Sequence, residues 1–480
     1  MLRRILPLVA FMAALVSTTA FVPPPPPAAA AAAEERQIGL DRQTGVAVTI
    51  YNQDLALVRD SRQVELAAGE NSLAFIDVSA LMRPETALLG TDGAGLSVLE
   101  QNFNFDLLTP EKLLEKSVGR TVRVITTNPQ TGEEKTEEAV VLSVAGGVVL
   151  QIGDRIETMA PGRIVFDGVP PNLRARPTLV IDADSDKAGI VTAQLNYLTG
   201  GLSWAADYVA QLSPDEKTLD LNGWVTLTNQ SGTSYQNAKL QLVAGDVHRV
   251  QEMLAKTMDL AAGAPAQPAP QMAEEGLFEY HLYTLGRPTT IAENQTKQVA
   301  LLTAGKVPVE KEFRFSNISN GSYYYALGEQ ERVNATVFVS FQNTADANLG
   351  LPLPKGTVRV YKADSAGQVQ FVGEDAIDHT PKNEEVRLTL GQAFDVTARA
   401  RQTRFEQISD RVYESAYEIE FKNAKPEPVT VALVEDIPGE WRVLEESAKH
   451  EAVNAFRARW EVIVPAEGSA KLAYSVRIKY

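Results

Sequence analysis

Apolar side chains recur at every second position along most of this chain. The stretch "YEIEFKN" sets Tyr417, Ile419 and Phe421 on one side and Glu418, Glu420 and Lys422 on the other. "KLAYSVRIKY" repeats the rhythm with Leu472, Tyr474, Val476, Ile478 and Tyr480, and "EVRLTLG" repeats it with Val386, Leu388 and Leu390. Successive side chains of a strand point to opposite faces, so this rhythm belongs to half-buried antiparallel strands and not to helices. Turn-forming clusters separate the runs: "NPQTGEE", "ADSDKAG", "LTGGLS", "SPDEKT", "NQSGTS" and "ADSAGQ". The pattern predicts a mainly β chain, with several antiparallel sandwiches or barrels in series.

The same reading divides the chain. Residues 37–105 form an N-terminal β domain. Residues 106–170 hold one short helix and a small barrel: Thr109 suits the N-cap, Pro110 the first helical position, and Gly119 closes "EKLLEKSVG". Beyond the helix, "TVRVITTN", "AVVLSV", "GVVLQIG", "DRIETM" and "GRIVF" have the spacing of an SH3-like barrel inserted into the larger architecture. A sandwich follows over 171–250, then an Ala/Pro/Gly-rich linker over 251–276. The sandwich continues over 277–405, and 406–480 has the length and strand count of an immunoglobulin-like sandwich, without its Cys–Trp–Cys signature.

"LNYLTGGLSWAADYVAQL" concentrates the large rings. The Gly200–Gly201 pair permits the positive φ of a tight hairpin, which would set Tyr197, Trp204 and Tyr208 across from one another. Rings beside alanines make an uneven surface that a second sheet fills, so Trp204 reads as a core plug in preference to an exposed platform.

Composition changes the compartment and the partners. "MLRRILPLVAFMAALVSTTA" (1–20) has the basic end, short apolar run and small-residue terminus of a signal peptide. A Pro/Ala-rich tether, 21–36, follows. Together they place the protein in the periplasm or outside the cell, with no membrane span once the signal is removed. The remaining chain has 43 basic against 61 acidic residues, a net −18, and no basic stripe for nucleic acid. The absence of cysteine excludes disulfides, thiol catalysis and thiolate metal sites.

Several stretches together carry a family resemblance. "LNYLTGGLSWAADY", "VTLTNQSGTSYQNAKLQLVAG", "FEYHLYTLGRPTTIAENQTKQVALL" and "LPLPKGTVRVYKADSAGQVQFVGEDAIDHTPKNEEVRLTLGQAFDV" resemble, in order, segments of the bacterial domain-of-unknown-function family typified by mucoidy inhibitor A. "VTIYNQDLALVRDSRQVELAAGEN" resembles that family's N-terminal partner domain. Ala206 stands where the family usually has Pro, Tyr235 where it often has Trp, and the inserted barrel replaces a coiled coil. The resemblance implies an exported, β-rich envelope protein and no catalytic residues.

Chemistry-bearing motifs are sparse. "DADSDKAG" begins like a calcium loop, but Lys187 stands where Gly is needed and Ala193 where the bidentate Glu should fall, so a turn is expected. Ser365 in "ADSAGQ" lacks the first Gly and the strand–helix elbow of a nucleophile. His248, His281, His379 and His450 are scattered, with no metal-binding pair. No phosphate-loop or dinucleotide fingerprint occurs, so no catalytic, cofactor-binding or metal residue is assigned and no cofactor is expected. Tyr323, Tyr324 and Tyr325 are the candidate partner-binding residues, because three rings in succession cannot all point inward from a strand. The expected function is a non-enzymatic binding or scaffold protein that contacts a protein or polysaccharide of the cell envelope. The alternative is a hydrolase of envelope polymers with Asp/Glu residues at a domain interface.

Overall fold

Parity along the strands decides which residues are buried. In Leu202–Leu212, Leu202, Trp204, Ala206, Tyr208, Ala210 and Leu212 are buried while the residues between them reach solvent. The computed structural model describes residues 35–93, 95–170, 173–245, 272–319, 323, 325–326 and 331–480. Among these the chain is mainly β, with a single α-helix, Pro110–Lys116. The expected signal peptide, nearly all of the tether and residues 251–271 of the expected linker lie outside the described residues. The last positions of that linker belong to the strand Ala273–Leu277.

Three sheets share one hydrophobic core. An eight-stranded sheet is centred on Tyr235–Ala244, Gln43–Tyr51, Leu55–Leu66 and Gly189–Thr199. A five-stranded central sheet runs in the order Gln295–Pro308, Thr218–Asn229, Leu202–Leu212, Gly356–Ala363, Val369–Ile377. A four-stranded sheet has the order Glu35–Ile38, Gly69–Ile76, Thr178–Ser185, Leu96–Asn104. Segments far apart in sequence interleave in these sheets: Tyr235–Ala244 pairs in parallel with Gln43–Tyr51, and Leu202–Leu212 with Gly356–Ala363.

The Gly200–Gly201 turn is not a hairpin. Gly189–Thr199 pairs with Leu55–Leu66 in the eight-stranded sheet, whereas Leu202–Leu212 pairs with Thr218–Asn229 in the central one. The turn carries the chain from one layer to the other, which lets the apolar faces of both strands point into the space between the sheets. Tyr197, Trp204 and Tyr208 are accordingly all buried, and the Tyr208 hydroxyl donates to the Pro354 carbonyl (2.8 Å). Trp204 is a plug.

Where the four-stranded sheet meets the eight-stranded one, a charged pair sits inside. Arg62 is fully buried, bonds Asp60 Oδ2 through Nε and Nη2 (3.0 and 2.7 Å), and donates to the carbonyls of Ile38 and Ile76 (2.7 Å each). Buried charges persist only when hydrogen-bonded in this way.

A nine-stranded sheet has its own core. Besides the strands after residue 411 it takes in Glu310–Ser316, Val333–Gln342 and the long Glu385–Ser409. The last two are shared: Val339, Phe341, Val386 and Leu388 lie in the first core, and Ala335, Val396 and Ala398 in the second.

The helix begins as expected, with Thr109 Oγ1 accepting from the Lys112 amide (3.2 Å). The small five-stranded sheet that follows does not close: its outer strands, Arg155–Glu157 and Arg163–Val165, are not paired with each other. Each is three residues long and the buried cluster beneath comprises six residues, too little to wrap a barrel around. The SH3-like expectation holds for strand number and order along the chain, not for closure.

Candidate functional site

In the strand Val429–Asp436, "VTVALVED", every second residue from Val429 faces the second core. Val429, Val431 and Leu433 point into the second core, and parity brings Glu435 in after them, fully buried. A carboxyl at that depth must be hydrogen-bonded. Ser319 supplies its amide to Oε1 (3.2 Å) and its hydroxyl to Oε2 (2.5 Å), and the Tyr323 hydroxyl donates to Oε2 (3.3 Å). Burial outweighs these bonds and pushes the Glu435 carboxyl up to about 7.

Rings enclose the carboxyl. Tyr323 meets Tyr417 edge-on with centroids 5.7 Å apart, Tyr417 stacks on Tyr474 (5.5 Å), and Tyr474 stacks on Trp460 (4.6 Å). The three candidate tyrosines therefore separate. Tyr323 is buried and is a ligand of Glu435, so it cannot meet a partner in this state. Tyr324 lies outside the described residues. Tyr325 is 56% exposed, with its carbonyl accepting from Gln402 Nε2 (3.3 Å).

The outer face of the nine-stranded sheet carries a charged groove. Its floor is Ser340, Thr430 and Ala432, and its rim includes Glu310, Glu312, Arg387, Arg459 and Glu461. Glu312 accepts two bonds from Arg314 (2.8 Å each) and one from Arg459 (3.0 Å). Burial works to raise the Glu312 carboxyl, but these guanidinium groups, helped by Arg387, hold it below its ordinary range. A glycosidase pairs a protonated acid with an ionised carboxylate across the scissile bond, and an arginine-bound Glu312 has the character of the second only. Glu435 is protonated readily, but its neighbour Asp436 faces the other way, bound to Arg457 (2.6 Å) and Asn317 (2.9 Å).

The remaining motifs are absorbed by structure. Asp182 and Asp184 lie inside the strand Thr178–Ser185, which takes the first half of the calcium-like stretch out of any loop. His281 pairs with Glu274 (2.8 Å), His450 with Glu446 (2.9 Å), and His379 Nδ1 accepts from the Lys355 amide (3.2 Å). His248 lies outside the described residues. Among the described residues no group of His, Asp and Glu could hold a metal ion, and no helix is long and apolar enough to cross a membrane.

The apolar groups that reach solvent are elsewhere. At the margin of the central sheet, Phe371 is 56% exposed and packs edge-on against Tyr361 (5.6 Å), with Val369 and Val372 also exposed beside it. Phe394 is 86% exposed on the adjoining strand. It has the sequence parity of Leu388 and Val396, but the ladder with Val333–Gln342 shifts register around it, so that its neighbour Ala393 packs against the second core and Phe394 faces solvent. Sequence reading missed these residues: "QFVGE" breaks alternation by setting Phe371 beside Val372, a signal of an edge, while Phe394 looks like any other core position.

Residues 193–480 match the family model described as a domain of unknown function, DUF4139. The match begins inside the strand Gly189–Thr199 and takes in the central and nine-stranded sheets. No curated protein matches the chain.

Proposed function

Because the chain belongs to the DUF4139 family, we propose that it is an exported cell-envelope protein of the mucoidy inhibitor A type, which binds or scaffolds an envelope protein or polysaccharide and catalyses nothing. The carrying observation is the exposed apolar margin of Phe371, Val369 and Phe394. Large rings held out of either core gain most when a partner covers them. The leader-like first twenty residues and the Pro/Ala tether support export.

The test is photo-crosslinking in intact cells, with a photoreactive residue placed singly at Phe371, Phe394 and the exposed Tyr325. Discrete adducts from both Phe positions, with the adduct at position 371 lost on Phe394→Ser at unchanged thermal unfolding, are the expected result. Adducts from Tyr325 alone would move the surface to the tyrosine loop. Release of soluble fragments from envelope polymers by the purified protein would replace binding with hydrolysis.

A further inference from the structure

Among the described residues, the strand Leu96–Asn104 closes one side of the four-stranded sheet and pairs only with Thr178–Ser185. Every residue from Ser97 to Asn102 is exposed. An outer strand presents a row of free amides and carbonyls to any passing strand, and proteins blunt such edges with lysine, proline, bulges or short length. This strand is nine residues long, "LSVLEQNFN" contains no lysine, arginine or proline, and its bulge at Leu99 leaves Glu100–Asn104 a regular edge. Its one charge, Glu100, already accepts from Asn102 Nδ2 (2.7 Å). Beside the free backbone lie Leu99, 59% exposed, and Phe105, 65% exposed, with Phe103 and Phe105 in contact (centroids 5.9 Å). Other edges are better defended: Glu440–Glu446 is mostly charged, and the Val369–Ile377 edge is approached by Glu385–Ser409, where Thr389 donates to Asp375 (2.7 Å).

We propose that this edge pairs with the same strand of a second copy, antiparallel, to continue the four-stranded sheet across a two-fold axis. The register follows from the strand itself. Its ladder with Thr178–Ser185 is regular from Glu100 to Asn104 and shifts at Leu99, where a bulge bends it. An axis through Asn102, perpendicular to the sheet, pairs that regular half with itself. Glu100 then lies opposite Asn104, Gln101 opposite Phe103, and Leu99 meets Phe105 just beyond. An axis through Glu100 would instead oppose two carboxylates. Two-fold symmetry repeats each favourable pair, so one strand supplies both halves of the interface.

The chain has no cysteine, so Asn102→Cys introduces a single thiol into the full-length protein. Residues directly opposite in an antiparallel pair stand at a distance a disulfide can span. Mild oxidation of the purified protein should give a disulfide-linked dimer at least ~10-fold faster than for Thr131→Cys, which sits in an exposed turn. Sedimentation of the wild-type protein should show twice the mass of one chain, and Leu99→Lys, a lysine placed on the open edge, should raise the dimer dissociation constant at least ~10-fold. A wild-type protein monomeric at every concentration, a dimer indifferent to Leu99→Lys, or equal crosslinking rates for the two cysteines would each overturn the proposal.

Discussion

Glu435 is the residue at which alternation and chemistry disagree. In "VTVALVED" the inward positions Val429, Val431 and Leu433 are apolar, and a carboxyl takes the next inward position because the strand runs one step further than they do. Its consequence is a pH dependence with a definite sign. The folded protein holds a proton on Glu435 up to about pH 7, whereas the free carboxyl releases it near 4.5. Between these values the folded state binds more protons than the unfolded one, so stability is fully present below the lower value and is lost as pH rises through the upper. The total is on the order of 3 kcal/mol. Glu435→Gln keeps a neutral acceptor for the Ser319 amide and removes the titration. Unfolding midpoints of the two proteins should diverge from about pH 5 to about pH 8, with the Gln variant the more stable at the alkaline end. Parallel curves would show that Glu435 does not titrate in that window. Tyr323 belongs to the same lock: its place in a row of three tyrosines suggested a surface, but its hydroxyl reaches an acid that lies far along the sequence, and no local pattern encodes that meeting.

At the scale of elements, most strands could be read from the chain and most of their partners could not. Parity identified the buried face of Leu202–Leu212 residue by residue, and capping chemistry located the helix start at Thr109. The turn between Thr199 and Leu202 shows the limit. "TGG" permits a hairpin and a crossing equally well, because both require positive φ; which occurs depends on whether the next strand finds its ladder in the same layer. Gly201 makes the crossing with φ +77°, and a Cβ there would lie 2.7 Å from Ser231 Cα. It also donates to Asp54 Oδ1 (2.8 Å) and accepts from the Gln230 amide (2.7 Å). Gly201→Ala should therefore lower stability by ~1–3 kcal/mol through the backbone conformation alone, with the clash added. Gly200→Ala, whose Cβ would meet nothing closer than 3.5 Å, should change the urea midpoint little. Equal effects from the two would mean the turn is free to re-form as something else.

The whole molecule is organised by strands that refuse to belong to one core. Glu385–Ser409 places Val386 and Leu388 in the first core and Val396, Ala398 and Ala400 in the second, and Val333–Gln342 makes the same passage beside it. Neither core can lose its strands without stripping the other, so the two should melt together despite their separate apolar interiors. The small sheet stands in a different relation. It leaves and re-enters the body at one place, where Leu107 bridges Arg174 and Arg174 forms a two-point pair with Glu35 (2.7 Å for each bond). Its own core comprises six buried residues, the regime in which a domain is marginal. Calorimetry should resolve a smaller, earlier transition for the inserted sheet and one larger transition for the rest. Leu150→Ala should shift only the first. Leu388→Ala and Ile419→Ala, one in each large core, should both shift the second, each by the ~2–5 kcal/mol of a lost core side chain. If Leu388→Ala and Ile419→Ala moved different transitions, the shared strands would be hinges between independent units. If they move the same one, the shared strands Val333–Gln342 and Glu385–Ser409 bind the two cores into a single cooperative unit.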